Sequence, residues 1–283
     1  MKSIYSYIAL CFLFTACSTE VELPSVDTDG LTVEAIIDIG KTPRVYLTTS
    51  LPLIGNEGLD LVRAIEGNAK VEISDGEMSE IATFSVDNTR YPSRYYRFNN
   101  VFGEVDKRYQ LKITLGGIVY ASETSIPVQP NIVLVEAVLV PGTGERYNFK
   151  LRFKNSEIAQ YYKIYIKESE EIKYQEVDTF LVNNELFTTD EYEVYIDYFF
   201  INEEGYKKSR LIKDSLYDIK IIAITKEEHL FWKAIKGDDT GNLIGVPKLS
   251  KEVPTNITNG AFGYFGGTNE VIVKALCTIK NPT

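Results

Sequence analysis

The stretch RYPSRYYRFNNVF, Arg90 to Phe102, interleaves Arg90, Arg94 and Arg97 with five aromatic side chains. A guanidinium group is planar, permanently charged and rich in donors. Stacked on tyrosine, it can hold an aromatic ring, a sugar or a carboxylate. A strand has a side-chain period of two, so Arg94 and Tyr96 share one face while Tyr95 and Arg97 share the other. Arg94 and Tyr96 are therefore a candidate binding pair. The bland alternative is a strand with packed aromatics and solvated arginines.

A second stretch, TNITNGAFGYFGG, runs from Thr255 to Gly267 and holds four glycines and three aromatics. A glycine loop that cradles phosphate lies between a strand and a helix N-terminus, where amides and dipole converge on the anion. Here the residues beyond, TNEVIVKALCTI, alternate like a strand, and no lysine or arginine lies within the loop. A sharply bent hairpin is expected instead, with Phe262, Tyr264 and Phe265 at its tip as candidate partner contacts.

Other chemistry has little to draw on. His229 is the only histidine, which leaves zinc sites and serine triads without their usual components. No nucleophile elbow, Walker loop or dinucleotide fingerprint is present. Adjacent acidic pairs such as Glu170-Glu171, Glu203-Glu204 and Glu227-Glu228 read as solvated turns or helix starts. The loop KGDDTGN, Lys236 to Asn242, reads as a turn rather than a cation site. No catalytic residue, metal ligand or cofactor is expected.

The elements that must position these residues begin after an N-terminal leader. Lys2 supplies a short positive region, and Ile4 to Phe14 form an apolar run too short for a membrane helix, which needs about 20 residues. Phe14-Thr15-Ala16-Cys17 then resembles the lipobox of bacterial lipoproteins. In such a sequence residues 1–16 are removed and Cys17 is acylated. Residues 17–30 are polar and read as a tether. Cys277, in VIVKALCTI, is expected to be a buried, inert thiol.

The formal net charge is −10, with 40 acidic and 30 basic residues. An acidic chain is a poor partner for nucleic acid, whose affinity comes from phosphate neutralisation. From Leu31 onward the apolar period is two. LTVEAII, RVYLTTS, AKVEIS, Ile81–Val86, Tyr95–Val101, RYQLKITL and IVYASETS read as strands, the last pair joined at Gly116-Gly117. IPVQPNI, with two prolines, marks a boundary. IVLVEAVLV, YNFKLRF, YYKIYIK, YEVYIDYFF and YDIKIIAI follow. One helix is expected near 226–236, capped by Thr225 and Glu228, with Leu230, Phe231, Ala234 and Ile235 as its apolar stripe and Gly237 as its stop. The predicted fold is mainly β: two antiparallel β-sandwich (immunoglobulin-like) domains, residues 31–127 and 128–283, with one short helix in the second.

AIEGNAKVEISDG (Ala64–Gly76), YQLKITLGGIVYASETSIP (Tyr109–Pro127) and NITNGAFGYFGG (Asn256–Gly267) occur in that order after the lipobox. In this the chain resembles the Bacteroidota lipoproteins grouped as domain of unknown function 4249. The resemblance implies an accessory lipoprotein of the outer membrane, associated with a TonB-dependent transporter and with nutrient uptake. It supplies no catalytic residues. The expected function is thus a non-catalytic accessory or binding component, with an envelope adhesin or structural module as the alternative and a carboxylate-dependent hydrolase behind both. Glu20 and Glu22 hint at export to the cell surface, and periplasmic facing stays open.

Overall fold

The computed structural model describes residues 30–49, 68–89, 93–143, 146–201, 207–209, 211–236 and 253–278. Cys17, the tether before Gly30, Arg90 and residues 237–242 of the KGDDTGN loop lie outside them. The described residues are mainly strand, with one helix. None of their helices is long and apolar enough to cross a membrane.

The first half supplies β1 (Leu31–Asp38), β2 (Arg44–Thr49), β3 (Lys70–Ser74), β4 (Ser79–Ile81), β5 (Thr83–Val86), β6 (Arg94–Arg97), β7 (Arg108–Leu115) and β8 (Ile118–Ser125). The second supplies β9 (Ile132–Leu139), β10 (Tyr147–Lys154), β11 (Tyr161–Glu168), β12 (Gln175–Asn183), β13 (Glu191–Ile196), β14 (Phe199–Ile201), β15 (Lys207–Ser209), β16 (Leu216–Ile224), the helix α1 (Lys226–Lys236) and β17 (Phe262–Leu276).

These strands form an eight-stranded sheet in the order β12-β11-β16-β17-β1-β2-β6-β5. A four-stranded sheet, β4-β3-β7-β8, a three-stranded sheet, β13-β10-β9, and the β14-β15 pair complete the fold. Alternation decides which side chains go inward. In β1 Leu31, Val33, Ala35 and Ile37 are buried, and in β7 Tyr109, Leu111 and Ile113. One core joins β1, β2 and β6 to β3, β7 and β8. A second joins β9, β10 and β13 to β11, β12, β16 and β17, and it contains the fully buried Cys277, whose thiol pKa burial and Asp214 raise to about 11.

Each core is entered through a buried tyrosine. Near the start of β7 the Tyr109 hydroxyl donates to the Phe102 carbonyl at 2.8 Å and accepts the Glu104 N–H at 2.8 Å. Near the start of β16 the Tyr217 hydroxyl accepts the Ile212 N–H at 2.9 Å. Three residues before each tyrosine, Asp106 and Asp214 hold positive φ of 63° and 65°. The motif is a tyrosine corner, in which a ring in the core holds the loop that precedes its own strand.

Three expectations need correction. The run Ile81–Val86 is divided at Ala82, whose N–H bonds the Val71 carbonyl at 2.8 Å, so β4 and β5 join different sheets. The strand expected from Tyr95 to Val101 ends at Arg97, because the Glu80 carboxylate takes the N–H groups of Asn99, Asn100 and Val101 at 2.8, 2.9 and 3.1 Å and turns the chain. The bent hairpin expected at Phe262–Phe265 is instead the start of β17. Residues Phe262–Thr268 of β17 pair in parallel with β1, and Asn269–Leu276 pair antiparallel with β16. Gly263, with φ of 102°, lies so close to β1 that a Cβ would overlap the Val33 carbonyl oxygen. Ile257, Ala261 and Phe265 belong to the first core, while Ala275 and Cys277 belong to the second. The C-terminal strand thus serves the cores on both sides of the expected boundary at residue 127.

A candidate binding face

The eight-stranded sheet has its cores on one side. The pleat sends the alternate residues to the other, and paired residues of neighbouring strands project together. Thr83 pairs with Arg97, Arg97 with Arg44, and Arg44 with Ile36, which makes one row across β5, β6, β2 and β1. In the next row Ser85 pairs with Tyr95, Tyr95 lies beside Tyr46, and Tyr46 pairs with Glu34. The rings of Tyr46 and Tyr95 are 5.7 Å apart and tilted by 35°. Arg97 is exposed, Arg44 retains 32% of its side-chain surface, and both tyrosines are half-buried.

Charge on this face is uneven. Asp38 accepts from Arg44 at 3.2 Å, from Lys41 at 3.3 Å and from the Thr268 hydroxyl. Burial opposes ionisation of Asp38, but these partners outweigh it and hold the carboxyl below its usual range. Arg97 has no ion-pair partner among the described residues. Towards the other edge of the sheet the cations are matched: Lys167 and Lys274 both meet Asp218, at 3.5 and 4.0 Å, and Lys220 lies 4.2 Å over the Tyr174 ring.

Between these two regions α1 covers the sheet. Thr225 Oγ1 accepts the Glu228 N–H at 3.4 Å, half of the expected capping box. The Glu228 carboxylate does not complete the box, because Oε1 accepts from Lys163 Nζ at 2.5 Å. The side chains are 0% and 8% exposed. A Cβ at Gly266 would overlap Glu228 Oε2, so glycine at that position makes the seat for this carboxylate. Phe231 lies 5.0 Å from Tyr264, and Trp232 packs edge-on to Phe180 at 6.2 Å. Burial raises the Glu34 carboxyl pKa; Lys163 acts against that shift and Glu228 reinforces it. For Lys163, burial disfavours the charge, yet the attraction of Glu228 prevails and the ammonium is stabilised.

Two carboxylates and an ammonium meet here, a set that could move protons. However, Glu228 is sealed beneath the helix, and a general acid or base must reach its substrate. The arrangement serves as a lock between helix and sheet. The expected apolar stripe of α1 is also corrected: Glu228 and His229 are its buried residues, and Leu230 is exposed. His229 packs 5.0 Å from the Tyr161 ring, and burial followed by the Lys233 charge lowers its pKa.

The sequence-derived site residues divide. Arg94 is exposed, but Tyr96 is 3% exposed in the first core, where its hydroxyl accepts the Ala69 N–H at 3.4 Å. They do not form an open pair. Phe262 is 38% exposed and lies 6.4 Å from Phe231, whereas Tyr264 and Phe265 are buried. Asn256 bonds the Phe265 N–H and carbonyl at 2.9 and 2.8 Å, which fixes that residue as structure. Cys17 is outside the described residues. The face instead uses Tyr95 and Arg97, the alternate pair on the same stretch, with Arg44 and Tyr46 of β2. The signal was the matching R-x-Y and Y-x-R spacing of two strands. A polar cleft of about 550 Å³ lies elsewhere, and on its lining Asn184 donates to Asn155 Oδ1 and to the carbonyls of Ser156 and Ile158. Among the described residues no three His, Cys, Asp or Glu side chains group to hold a metal ion.

A family model described as Domain of unknown function (DUF4249) matches residues 18–272. No curated protein matches the chain. Among solved structures, the crystal structure of chicken CNTN1 FN1–FN3 domains is similar at 12% identity, with a TM-score of 0.23. That alignment covers 90% of this chain and 66% of the other, just under two thirds of its length.

Proposed function

The chain belongs to the DUF4249 family, and we propose that it is the non-catalytic binding component of a nutrient-uptake system at the outer membrane, tied there by acylated Cys17. In this reading the chain comes from a Bacteroidota envelope, its transport partner is a TonB-dependent β-barrel, and it needs no cofactor. Its halves are two immunoglobulin-like sandwiches that share β17; the tyrosine corners at Tyr109 and Tyr217, one per half, support that description. The observation that carries the function is the face of the eight-stranded sheet opposite its cores, where Arg44, Tyr46, Tyr95 and Arg97 stand together and Arg97 is exposed. Tyrosine offers large contact area at low entropic cost, and arginine offers directed charge. The sealed position of Glu228 disfavours carboxylate hydrolysis.

The test is capture from detergent-solubilised membranes with the full chain as bait. A β-barrel transporter should co-purify. Consistent absence of any barrel protein would reject the uptake reading and favour an adhesin or structural module. Cys17→Ala should move the chain to the soluble fraction, and palmitate labelling that survives this change would place the anchor elsewhere.

A further inference from the structure

We propose that Arg44, Tyr46, Tyr95 and Arg97 form the binding site for an extended acidic saccharide, with its carboxylates on the two guanidinium groups and its sugar rings on the two tyrosines. This rests on that sheet face being the ligand-binding surface.

Charge is the first argument. Arg44 and Arg97 are direct cross-strand partners. Like charges directly opposite each other on a sheet repel and destabilise it. The Arg44 charge is met by Asp38, but that of Arg97 is met by no carboxylate among the described residues. This occurs in a chain with 40 acidic residues against 30 basic ones, where a counter-charge is easy to supply. An anionic ligand completes the pair. The guanidinium fork matches a carboxylate through two parallel hydrogen bonds.

Shape is the second argument. Small molecules bind in concave pockets that enclose most of their surface. This face is a sheet surface carrying two adjoining rings, Tyr46 and Tyr95, tilted by 35°. A flat platform suits an extended chain of rings. The weakly apolar face of a sugar packs on an aromatic ring, and the flanking Thr83 and Ser85 place hydroxyl groups in the same two rows. The two rows lie two residues apart along the strands, about 7 Å, so a ring on one tyrosine leaves a neighbouring carboxylate within reach of an arginine.

Calorimetric titration of the full chain in detergent with tetragalacturonate tests this. Binding should weaken by about tenfold or more with the methyl-esterified tetramer, in Arg97→Ala and in Tyr95→Ala. It should also fall steeply as salt is raised to about 0.5 M. Arg97 is exposed, so its variant should melt like the parent and keep the comparison valid. No binding to the parent chain, equal binding in Arg97→Ala, or tighter binding of oligothymidylate would each overturn the proposal. If a transporter co-purifies while tetragalacturonate does not bind, the ligand class alone is wrong. If tetragalacturonate binds through Arg97 and no transporter co-purifies, the uptake partner alone is wrong.

Discussion

Lys163 and Glu228 form a closed ion pair between β11 and α1, at 2.5 Å and almost without solvent. A buried pair adds little to stability against well-packed apolar replacements, but removing one partner strands the other charge and costs about 3–5 kcal/mol. Lys163→Met should therefore lower the urea midpoint strongly, while Lys163→Met with Glu228→Leu should recover most of the loss. Equal midpoints for the single and double variants would show that the charges are not coupled.

The same pair sets a pH dependence. The Glu34 carboxyl pKa is raised in the folded state by burial, and Lys163, ahead of Arg44, restrains the rise. In Lys163→Met it should rise further. A raised carboxyl pKa means that the folded chain binds the proton more tightly, so stability falls as pH climbs above the unfolded value of about 4.3. The destabilisation by Lys163→Met should be larger at pH 8 than at pH 5. Unfolding curves at those two pH values check the sign.

Gly266 lets the helix lie down on the sheet. In Gly266→Ala the added methyl would collide with Glu228 Oε2 and lift α1. Trp232 is the only tryptophan and lies on that helix. Its emission should shift to the red in the native variant, before any unfolding transition. Unchanged emission would mean that the carboxylate has room to move aside.

Tyr109→Phe keeps the ring in the core but removes the hydroxyl from the Phe102 carbonyl and the Glu104 N–H. Tyr217→Phe does the same to the Ile212 N–H. Each should cost about 1–3 kcal/mol, the range for leaving a buried polar group unpaired. Denaturant titration measures both. A cost confined to one site would show that the two corners are not equivalent supports.

Asp75 fastens the β3–β4 turn to the start of β7. It accepts the Glu77 and Met78 N–H groups at 3.0 and 2.7 Å, and Lys107 lies 2.7 Å away. The Lys107 hydrogen bond, followed by these backbone bonds, lowers its pKa to about 2. A lowered carboxyl pKa contributes stability above the unfolded value and loses it as pH falls through the folded one. Asp75→Asn should thus flatten the acid limb of the stability curve between about pH 4 and about pH 2. Parallel curves for parent and variant would rule this out.

Alternation alone made β1, β7, β8 and β10 legible, because each buries every second residue against a core. The start of the helix was legible from Thr225, but its buried face was not. A pattern of apolar spacing gives no warning that Glu228 will find a lysine 65 residues away. The repeated D-x-x-Y of Asp106–Tyr109 and Asp214–Tyr217 stood in the sequence as a sign of two similar corners. The bent hairpin expected around the glycines of β17 failed for a physical reason: Gly263 and Gly266 permit close approach of neighbouring groups along a continuous strand. The pairing of β1 with β17 joins residues such as Asp38 and Thr268, 230 positions apart, and no local period encodes it. For the binding face, either strand alone was ambiguous. Only the register of β2 with β6 selects Tyr95 and Arg97 over Arg94 and Tyr96.

β17 is synthesised after every other described strand, and β1 is the first of them. Until the ribosome has delivered Phe262 to Thr268, one backbone edge of β1 has no permanent neighbour and the first core lacks Phe265. An open edge of that kind invites pairing with foreign chains. Maturation of both halves is therefore tied to a single late event. A polypeptide cut short before residue 262 should leave neither half in its native state.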